Sequence, residues 1–424
     1  MRHVTLGVVA AVLALVACRP FEAHPVVPDA RRASLAALDA VHGPAGHAGA
    51  AFDGPADHPA ELDRPGPVPD YAPLAHVYTH ARVDSLSAAL PELLTALVGD
   101  VHAVEDYDPP PPPDEEDEES DRSLVWLRDY QPIYVRTHDG RLKVLRYLSE
   151  NPNRAAYLPV ETTRALVEQH VGVRPIVETL PLLHENGNLV ATGRYIFVTE
   201  RLLEDNAEPL DAPHLLDAGY RPRDPDEVLA VLAQAMERPV EDIVVLPRLP
   251  GELTGHVDLF LLPLDEQTVI VPILRPEALG MATAGSEADL AHSVQQVFDS
   301  IAKRMTDLGL TVVRLPMVAP LYLPAEYEDD ADGWDYVFYS PANSLLVRTA
   351  ERARVLVPEV DLTDHSIALA ALQRSYELEW GAAFAAHGWT PVPVDATRLG
   401  RYLGLLRCVS ASAPAIGPLA HHIP

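Results

Sequence analysis

The 424-residue chain contains only two cysteines, and it has few aromatic and few basic residues. Lysine and arginine together number 32 against 62 aspartates and glutamates, so the formal net charge is −30. A chain with this balance has no broad basic surface to neutralise phosphates, which argues against nucleic acid as a partner. The charge instead favours cationic ligands such as amines, guanidines and basic peptides, although it could equally serve solubility alone.

Near its start the chain has an apolar stretch, residues 4–17, that is too short to span a bilayer as a helix, since a span takes about 20 residues. A positively charged beginning precedes it, and this order predicts an export signal peptide over residues 1–17, with a core strand as the alternative. The sequence LVAC at 15–18 resembles a bacterial lipobox. We therefore expect an exported bacterial lipoprotein that is anchored to the cell envelope through lipidated Cys18 and contacts the membrane only there.

With Cys18 acylated, Cys408 is the one cysteine that remains. Exported proteins use cysteines mainly in disulfides, so an unpaired thiol needs another explanation. Cys408 is either an inert buried thiol or a nucleophile, and its spacing alone does not decide between the two.

Composition divides the chain into a tether and a folded part. Residues 18–72 are rich in Pro, Ala, His and Asp without an apolar period, which predicts a flexible linker. Residues 73–424 are predicted to form one catalytic domain, with an acidic, proline-rich insertion at 105–121. A second acidic stretch covers 326–335. Both runs could gather basic substrates, or they could be solvated loops.

Short β-rich runs alternate with helical segments after the insertion. They include the strands 189–191, 243–246 and 259–262 and the helices 226–236, 293–308 and 368–386. A further helix is predicted over 86–98. This alternation favours an α/β fold over a sandwich or a helical bundle.

Five short segments place polar groups inside apolar runs, in patterns that core packing does not require. They are WLRDYQP at 126–132, HENGN at 184–188, TGHVD at 254–258, PAN at 341–343 and RCVS at 407–410. Together they supply a thiol, two imidazoles and three carboxylates, which is the inventory for covalent catalysis on a cationic substrate.

Each segment also has a simpler explanation. Asp129 could form a salt bridge or cap a turn, and residues 185–188 could be a hairpin turn because Asn-Gly favours turns. His256 and Asp258 lie two positions apart, so in a strand both would emerge on one face, where they could be a surface pair.

The order of these segments resembles the guanidine-modifying enzymes of the pentein fold, specifically the agmatine deiminases and the Porphyromonas-type peptidylarginine deiminases. The family's Trp-x-Arg-Asp-x-Gly-Pro element is matched by Trp126, Arg128, Asp129 and Pro132, with Gln131 in place of Gly. Its Glu-Gly-Gly-Asn element is matched by Glu185, Gly187 and Asn188, and its Gly-His-x-Asp element by Gly255, His256 and Asp258. Its Gly-Gly-Gly-x-His-Cys-x-Thr element corresponds to GLLRCVS at 404–410, which keeps Cys408 but lacks two glycines and the histidine.

The resemblance implies a pentein-type five-bladed α/β propeller with pseudo-fivefold symmetry and a central pocket. It implies a hydrolase that converts a guanidine (agmatine or arginine, free or in peptides) to a ureido product and ammonia through a covalent cysteine thiouronium. No cofactor is expected, and no metal, because no Cys or His pairs stand at zinc-ligand spacing. The alternatives are a catalytically silent pentein domain that binds amines or basic peptides, and an amidinotransferase.

By the same resemblance, Asp129 and Asp258 hold the planar, forked guanidinium. Cys408 attacks the central carbon, and His256 protonates the departing ammonia and then activates water. Glu185 holds the imidazole and favours its protonated form.

The other matched residues have two explanations each. Trp126 packs in the core or walls the pocket. Arg128 pairs with a carboxylate or binds the far end of the substrate. The resemblance also places Asn188 among the substrate-binding residues. Asn343 belongs to a segment that resembles the family's Tyr-x-Asn element, and it hydrogen-bonds the pocket backbone or is a satisfied core amide.

Arg407, which precedes the cysteine, has opposite effects depending on its direction. A cation beside a thiol lowers the thiol pKa, whereas an arginine that points into the pocket repels a guanidinium.

Overall fold

The computed structural model describes residues 64–79, 101–103, 127–150, 168, 172–210, 212–282, 286–322, 336–349, 352–400 and 404–414. All of them belong to the second of the two units into which the chain divides, His47–Pro424. The signal peptide 1–17, Cys18, the helix 86–98, the acidic runs 105–121 and 326–335, and Trp126 lie outside these ranges and stay predictions.

The strands are β1 Gly66–Pro67, β2 Leu74–Thr79, β3 Val101–Ala103, β4 Ile133–Arg136, β5 Leu142–Leu148, β6 Ile176–Leu183, β7 Val190–Ala191, β8 Ile196–Thr199, β9 Ile243–Leu246, β10 Leu262–Pro263, β11 Thr268–Ile273, β12 Thr311–Pro316, β13 Leu321–Tyr322, β14 Tyr336–Val337, β15 Leu345–Arg348, β16 Ala353–Glu359, β17 Thr390–Asp395 and β18 Ser410–Pro414. The helices are α1 Leu127–Tyr130, α2 Arg201–Asp205, α3 Pro213–Asp217, α4 Pro225–Ala235, α5 Pro276–Leu279, α6 Ser286–Asp307, α7 Ile367–Ala386 and α8 Thr397–Gly400.

Five sheets in the described ranges share one pairing pattern, in which an antiparallel pair is followed by a third strand parallel to the second. They are β4-β5-β6, β7-β8-β9, β10-β11-β12, β15-β16-β17 and β18-β2-β3. A parallel pair needs a crossover, and helices α4, α6 and α7 each lie in one of these crossovers. In the fifth sheet the C-terminal strand β18 pairs with the N-terminal strand β2, which brings the two ends of the fold together.

The five polar segments occupy equivalent places in these five sheets, because each comes directly before the first strand of its sheet. Helix α1 precedes β4, and 3₁₀ turns at Asn186–Asn188, Val257–Leu259 and Pro341–Asn343 precede β7, β10 and β15. A turn at 406–409 precedes β18. The internal repeat is therefore structural, and the polar segments are its recurring element.

Helix α4 shows how the local sequence builds one crossover. Asp224 caps it by accepting a hydrogen bond from the backbone of Glu227, and a proline occupies its first turn. Val228 and Leu232, four residues apart, pack into the same core as the strands β4, β6, β8 and β9. None of the helices within the described ranges has the length and hydropathy needed to cross a bilayer.

Most predicted elements are confirmed, with differences at their ends. The strand 243–246 matches β9 and the helix 368–386 matches α7 within one residue, whereas α6 starts at Ser286 rather than at 293. The strand predicted over 259–262 is wrong in its first part, because residues 257–259 form a 3₁₀ turn. His256 and Asp258 therefore project from a turn and not from one face of a strand.

The predicted linker 18–72 extends too far towards the C-terminus. Gly66 and Pro67 pair with β4 at the edge of its sheet, where a proline that lacks an N–H is tolerated. Tyr71 and Ala72 are buried. The proline and glycine content of this stretch resembles that of a linker, but an edge strand uses the same residues.

Candidate active site

His256 lies between two carboxylates. Its Nε2 is 2.9 Å from Oε2 of Glu185, and its Nδ1 is 3.6 Å from Oδ1 of Asp129. Burial alone lowers the pKa of this imidazole, but Asp129, Glu185 and Asp258 outweigh burial and raise the pKa to about 9. The ring is therefore an imidazolium at neutral pH, which suits two nitrogens that both face acceptors.

A glycine permits this close arrangement. A Cβ added at Gly187 would lie 2.4 Å from Nδ1 of His256 and 2.8 Å from Oδ1 of Asp129, both shorter than real Cβ contacts. The 3₁₀ turn that carries Gly187 is fixed to β8 by Asn188, whose Oδ1 accepts a 2.9 Å hydrogen bond from the backbone N–H of Thr199. Asn188 therefore anchors the backbone of its turn.

The turn that carries the imidazole is joined to the same strand. The hydroxyl of Thr199 donates a 2.6 Å hydrogen bond to the carbonyl of Gly255, and Glu252 accepts hydrogen bonds from the backbone of Thr254 and Gly255. Gly255 has a φ of 66°, a left-handed conformation that glycine adopts without steric cost. The intact Gly-His-x-Asp motif thus has a conformational reason for its glycine.

Asp258 is the most unusual group of the site. Its side chain is completely buried, and neither carboxylate oxygen accepts a hydrogen bond in the part of the chain that the structure describes. Arg128 is a cation beside it, with Nε 3.7 Å from Oδ2. Buried carboxylates are normally hydrogen-bonded, so this one has unused capacity to accept N–H groups.

Cys408 is buried, and its sulfur contacts Asn343. The Nδ2 of Asn343 lies 3.1 Å from Sγ, and Oδ1 lies 3.5 Å from it. Burial raises the pKa of this thiol, and the charges of Asp258 and Asp129 raise it further, against smaller opposing effects of the Leu405 backbone and the Asn343 amide. The resting side chain is thus a neutral thiol.

Asp129 and Asp258 act on both reactive groups, since each raises the pKa of His256 and of Cys408. The two carboxylates therefore lie within electrostatic reach of the imidazole and of the sulfur. With Glu185 on the imidazole, the fold gathers Asp129, Glu185, His256, Asp258 and Cys408 from sequence positions far apart.

The two arginines of the site are both paired with Asp70, a residue inside the predicted linker. Arg128 approaches it with Nη1 at 2.8 Å, and Nη2 of Arg407 forms a second ion pair. Arg128 thus pairs with a carboxylate, which is one of the two roles that the sequence left open. Arg407 forms an ion pair with the same carboxylate. Nothing in the local sequence pattern marked Asp70.

Arg201 and His184 complete the surroundings of Glu185. Arg201, at the start of α2, lies 3.6 Å from Glu185 and 3.1 Å from Asp205. His184 is buried, and its ring makes a T-shaped contact with that of Tyr147, with ring centroids 5.1 Å apart. Burial, and to a lesser degree the charge of His256, lowers the pKa of His184 to about 3. His184 is therefore neutral. Arg201 carried no motif signal in the sequence.

Metal ligation is not evident where side chains are described: no group of three or more His, Cys, Asp or Glu residues there could hold a metal ion. The imidazole of His256 is instead paired with the carboxylates of Glu185 and Asp129.

Comparison with known proteins gives a fold but no sequence match. No family model and no curated protein matches the chain. Among solved structures, a C. jejuni agmatine deiminase matches with a TM-score of 0.52 at 15% identity. The match covers 82% of this chain and 96% of the C. jejuni chain. An Enterococcus faecalis agmatine deiminase has a TM-score of 0.52 at 14% identity, covering 84% and 98%.

A proposed arginine deiminase from Porphyromonas gingivalis has a TM-score of 0.54 at 17% identity and covers 83% of this chain and 98% of its own. At these identities the comparisons establish the fold. They confirm the α/β class and the structural resemblance to the agmatine deiminases that the motifs indicated.

Proposed function

We propose that this chain, which shares its fold with the agmatine deiminases, hydrolyses a guanidine to a ureido product and ammonia through a covalent bond to Cys408. The observation that carries the proposal is Asp258, a fully buried carboxylate without a hydrogen-bond donor in the described residues. A guanidinium is a flat cation with forked N–H groups, so it matches these two oxygens in charge and geometry.

A bound guanidinium would also change the state of the nucleophile. Asp129 and Asp258 raise the pKa of the Cys408 thiol. A cation between these carboxylates and the sulfur offsets their charge and favours the thiolate. Substrate binding and nucleophile activation are thus coupled, and a site without substrate keeps an unreactive thiol.

The first half of the reaction forms the covalent intermediate. The thiol proton is lost to solvent when the cation binds, and the thiolate of Cys408 forms an S–C bond with the central guanidine carbon. The imidazolium of His256 then donates its proton to an amino group, the C–N bond breaks, and ammonia leaves. A thiouronium on Cys408 and a neutral imidazole remain.

The second half releases the product. The neutral imidazole of His256 takes a proton from water while the water oxygen bonds to the thiouronium carbon. The S–C bond breaks, the hydroxyl proton of the adduct is released as the ureido carbonyl forms, and the sulfur is reprotonated. Glu185, 2.9 Å from Nε2, supports the imidazolium in both halves.

The wider setting is part of the same proposal. The five sheets with one pairing pattern support a five-bladed propeller whose polar segments meet at a central pocket. Agmatine and arginine, free or in peptides, are the proposed substrates, and the net charge of −30 favours such cations. The lipid anchor at Cys18 would place the reaction at the cell envelope.

The experiment is an activity assay on the full chain. Purified protein is incubated with agmatine, arginine and an arginyl peptide, and ammonia and ureido product are measured, with Cys408→Ala as the control. We expect turnover of at least one substrate by the native chain and none by the variant. A folded native protein that turns over none of the three would contradict the proposal.

A silent binding domain is the second candidate, because burial holds the Cys408 thiol neutral and the adjacent Leu405 and Leu406 are buried with it. It predicts binding of agmatine by calorimetry without a covalent adduct by mass spectrometry. An amine acceptor added to the assay tests amidino transfer, since the acceptor would then gain the amidino group and the substrate would leave as its parent amine, without release of ammonia.

A further inference from the structure

Asp70 is shared by two buried arginines. Its Oδ1 lies 2.8 Å from Nη1 of Arg128, its Oδ2 lies 3.4 Å from Nη2 of the same residue, and Oδ2 also pairs with Nη2 of Arg407. The Asp70 side chain is 18% exposed, whereas those of Arg128 and Arg407 are 6% and 2% exposed. One carboxylate thus neutralises two guanidiniums in the interior.

The two arginines are the immediate neighbours of reactive residues. Arg128 precedes Asp129 and Arg407 precedes Cys408. Their backbones are tied to the site as well, because the N–H of Arg128 donates a 3.0 Å hydrogen bond to the carbonyl of Cys408. The N–H of Arg407 donates a 3.2 Å hydrogen bond to Oδ1 of Asn343, the residue that contacts the sulfur.

The guanidiniums extend this connection to two more of the polar segments. Arg128 donates a 3.3 Å hydrogen bond to the carbonyl of Leu189, which follows the segment 184–188. Arg407 donates one of 3.3 Å to the carbonyl of Leu261, three residues beyond Asp258. A cluster around Asp70 therefore joins the segments that carry Asp129, Glu185, His256 with Asp258, and Cys408.

The charges of this cluster depend on Asp70. Burial by itself raises the pKa of Asp70, but Arg128 and Arg407 together hold that pKa below its ordinary value, so the carboxylate is ionised. Without it, the two buried guanidiniums would lose the carboxylate that they share, and only Arg128 has another ion pair among the described residues, with Asp258 at 3.7 Å. Removing one partner of a buried charge network leaves uncompensated charge, and the network rearranges.

We propose that Asp70 is a positioning residue that fixes the places of Asp129 and Cys408 relative to each other through Arg128 and Arg407. This role rests on the proposed function. The proposal gives a role in the site to the segment around Asp70, whose composition is that of a linker. It also explains why Arg407 stands directly before Cys408.

The test uses two alkylating reagents of nearly equal shape, the cationic chloroacetamidine and the neutral chloroacetamide, on the full chain. The ratio of their labelling rates at Cys408, followed by mass spectrometry, measures how well a guanidinium-like cation is presented to the sulfur. We expect the native ratio to exceed one and Asp70→Asn to lower it at least about tenfold. A ratio in the Asp70→Asn variant equal to the native ratio would overturn the proposal.

Glu377→Gln is the matched control for lost stability. Glu377 is a buried carboxylate on α7 that accepts hydrogen bonds from the backbone of Val360 and from Gln373 and pairs with Arg374. It lies outside the site, so this variant should lower the unfolding temperature and leave the labelling ratio unchanged. A loss of the ratio in both variants would mean that lost stability alone explains the effect and would overturn the proposal.

The double variant Asp70→Asn/Arg407→Gln serves if Asp70→Asn alone does not fold. It removes one anion and one cation, so the net charge of the cluster is unchanged. We expect the double variant to fold and to keep a low ratio, because the ion-pair geometry is gone. A native ratio in the folded double variant would overturn the role of Asp70. A ratio of one in the native chain would instead contradict the proposed function, and the positioning role would fall with it.

Discussion

The side-chain amide of Asn343 faces the sulfur of Cys408 in two ways, with Nδ2 at 3.1 Å and Oδ1 at 3.5 Å. The thiol can donate to the oxygen, and a thiolate can accept from the nitrogen, so one side chain accommodates both forms. Oδ1 also accepts the N–H of Arg407. Asn343 therefore holds the turn that carries the nucleophile as well as the nucleophile itself.

Replacing Asn343 by leucine should slow the reaction of the Cys408 thiol with an alkylating reagent. The Asn343 amide lowers the pKa of Cys408, so its removal raises that pKa further. We expect labelling of Cys408 by chloroacetamide at pH 8 to fall severalfold, because a smaller fraction of the sulfur is then thiolate. The lost hydrogen bond to Arg407 should also lower the free energy of unfolding by about 1–3 kcal/mol. Unchanged labelling would show that the amide does not support the thiolate.

Replacing Asp258 by asparagine should have opposite effects on two reagents. The charge of Asp258 raises the pKa of Cys408, so its removal should speed labelling by neutral chloroacetamide severalfold. The same change removes an acceptor for a guanidinium, so labelling by chloroacetamidine should slow by at least about tenfold. Asp299→Asn is the control, because Asp299 is a half-exposed partner of Arg314. If both reagents respond in the same direction, Asp258 does not bind the cation.

Replacing Gly187 by alanine should separate the imidazole from its partners. The added Cβ would come within 2.4 Å of Nδ1 of His256, so the ring has to move. We expect turnover to fall by about 100-fold, since displacements of about 1 Å have effects of this size.

Gly381→Ala, within helix α7, is the matched control. Among the described residues its Cβ would meet only Pro391, at 3.8 Å, which is an ordinary contact. It should raise the free energy of unfolding by about 0.5–1 kcal/mol and leave turnover unchanged. Equal losses of turnover in the two variants would contradict the geometry around Gly187.

The stability of the protein should depend on pH through His256. Its pKa is about 9 in the folded state against 6.5 for an ordinary histidine, so the folded state binds the proton more tightly. The resulting stabilisation is fully present below pH 6.5, and it declines as the pH rises to about 9, with a total of about 3 kcal/mol.

Denaturant unfolding at steps between pH 6 and pH 9.5 measures this decline. In His256→Gln the slope between pH 6.5 and pH 8 should largely disappear, because glutamine does not titrate. Above about pH 8.5 the raised pKa of the Cys408 thiol adds a decline of its own in both proteins. A native chain whose free energy of unfolding stays constant from pH 6.5 to pH 9 would contradict the raised pKa.

Much of the candidate site could be predicted from the sequence because its residues carry unusual chemistry at fixed local spacing. The short segments around Asp129, Glu185, His256 and Cys408 interrupt apolar runs, and the structure gathers these side chains. The repeat could not be predicted, because its five recurring segments share a place before a strand and not a residue type. Pairing patterns such as β16 with β17 appear only when distant strands meet.

Asp70 was missed for a related reason. Its neighbourhood, GPVPDYAP at 66–73, has the composition of a tether, and composition reports only what a segment can do locally. The structure makes Asp70 the shared partner of Arg128 and Arg407, which lie 58 and 337 positions away. The sequence left open whether Arg407 lowers the thiol pKa or points into the pocket and repels a guanidinium. The ion pair with Asp70 fixes the direction of its side chain.

The amino-acid sequence alone determined the types and order of the reactive groups, the acidic charge and the helical and strand segments with strong periodicity. The packing of distant segments sets which carboxylate meets which cation, which acid has no hydrogen-bond donor among the described residues, and whether the thiol is ionised. The physical reason is that periodicity and propensity act over a few residues, whereas ion pairing and desolvation depend on distances in space, which are set when segments hundreds of residues apart pack together.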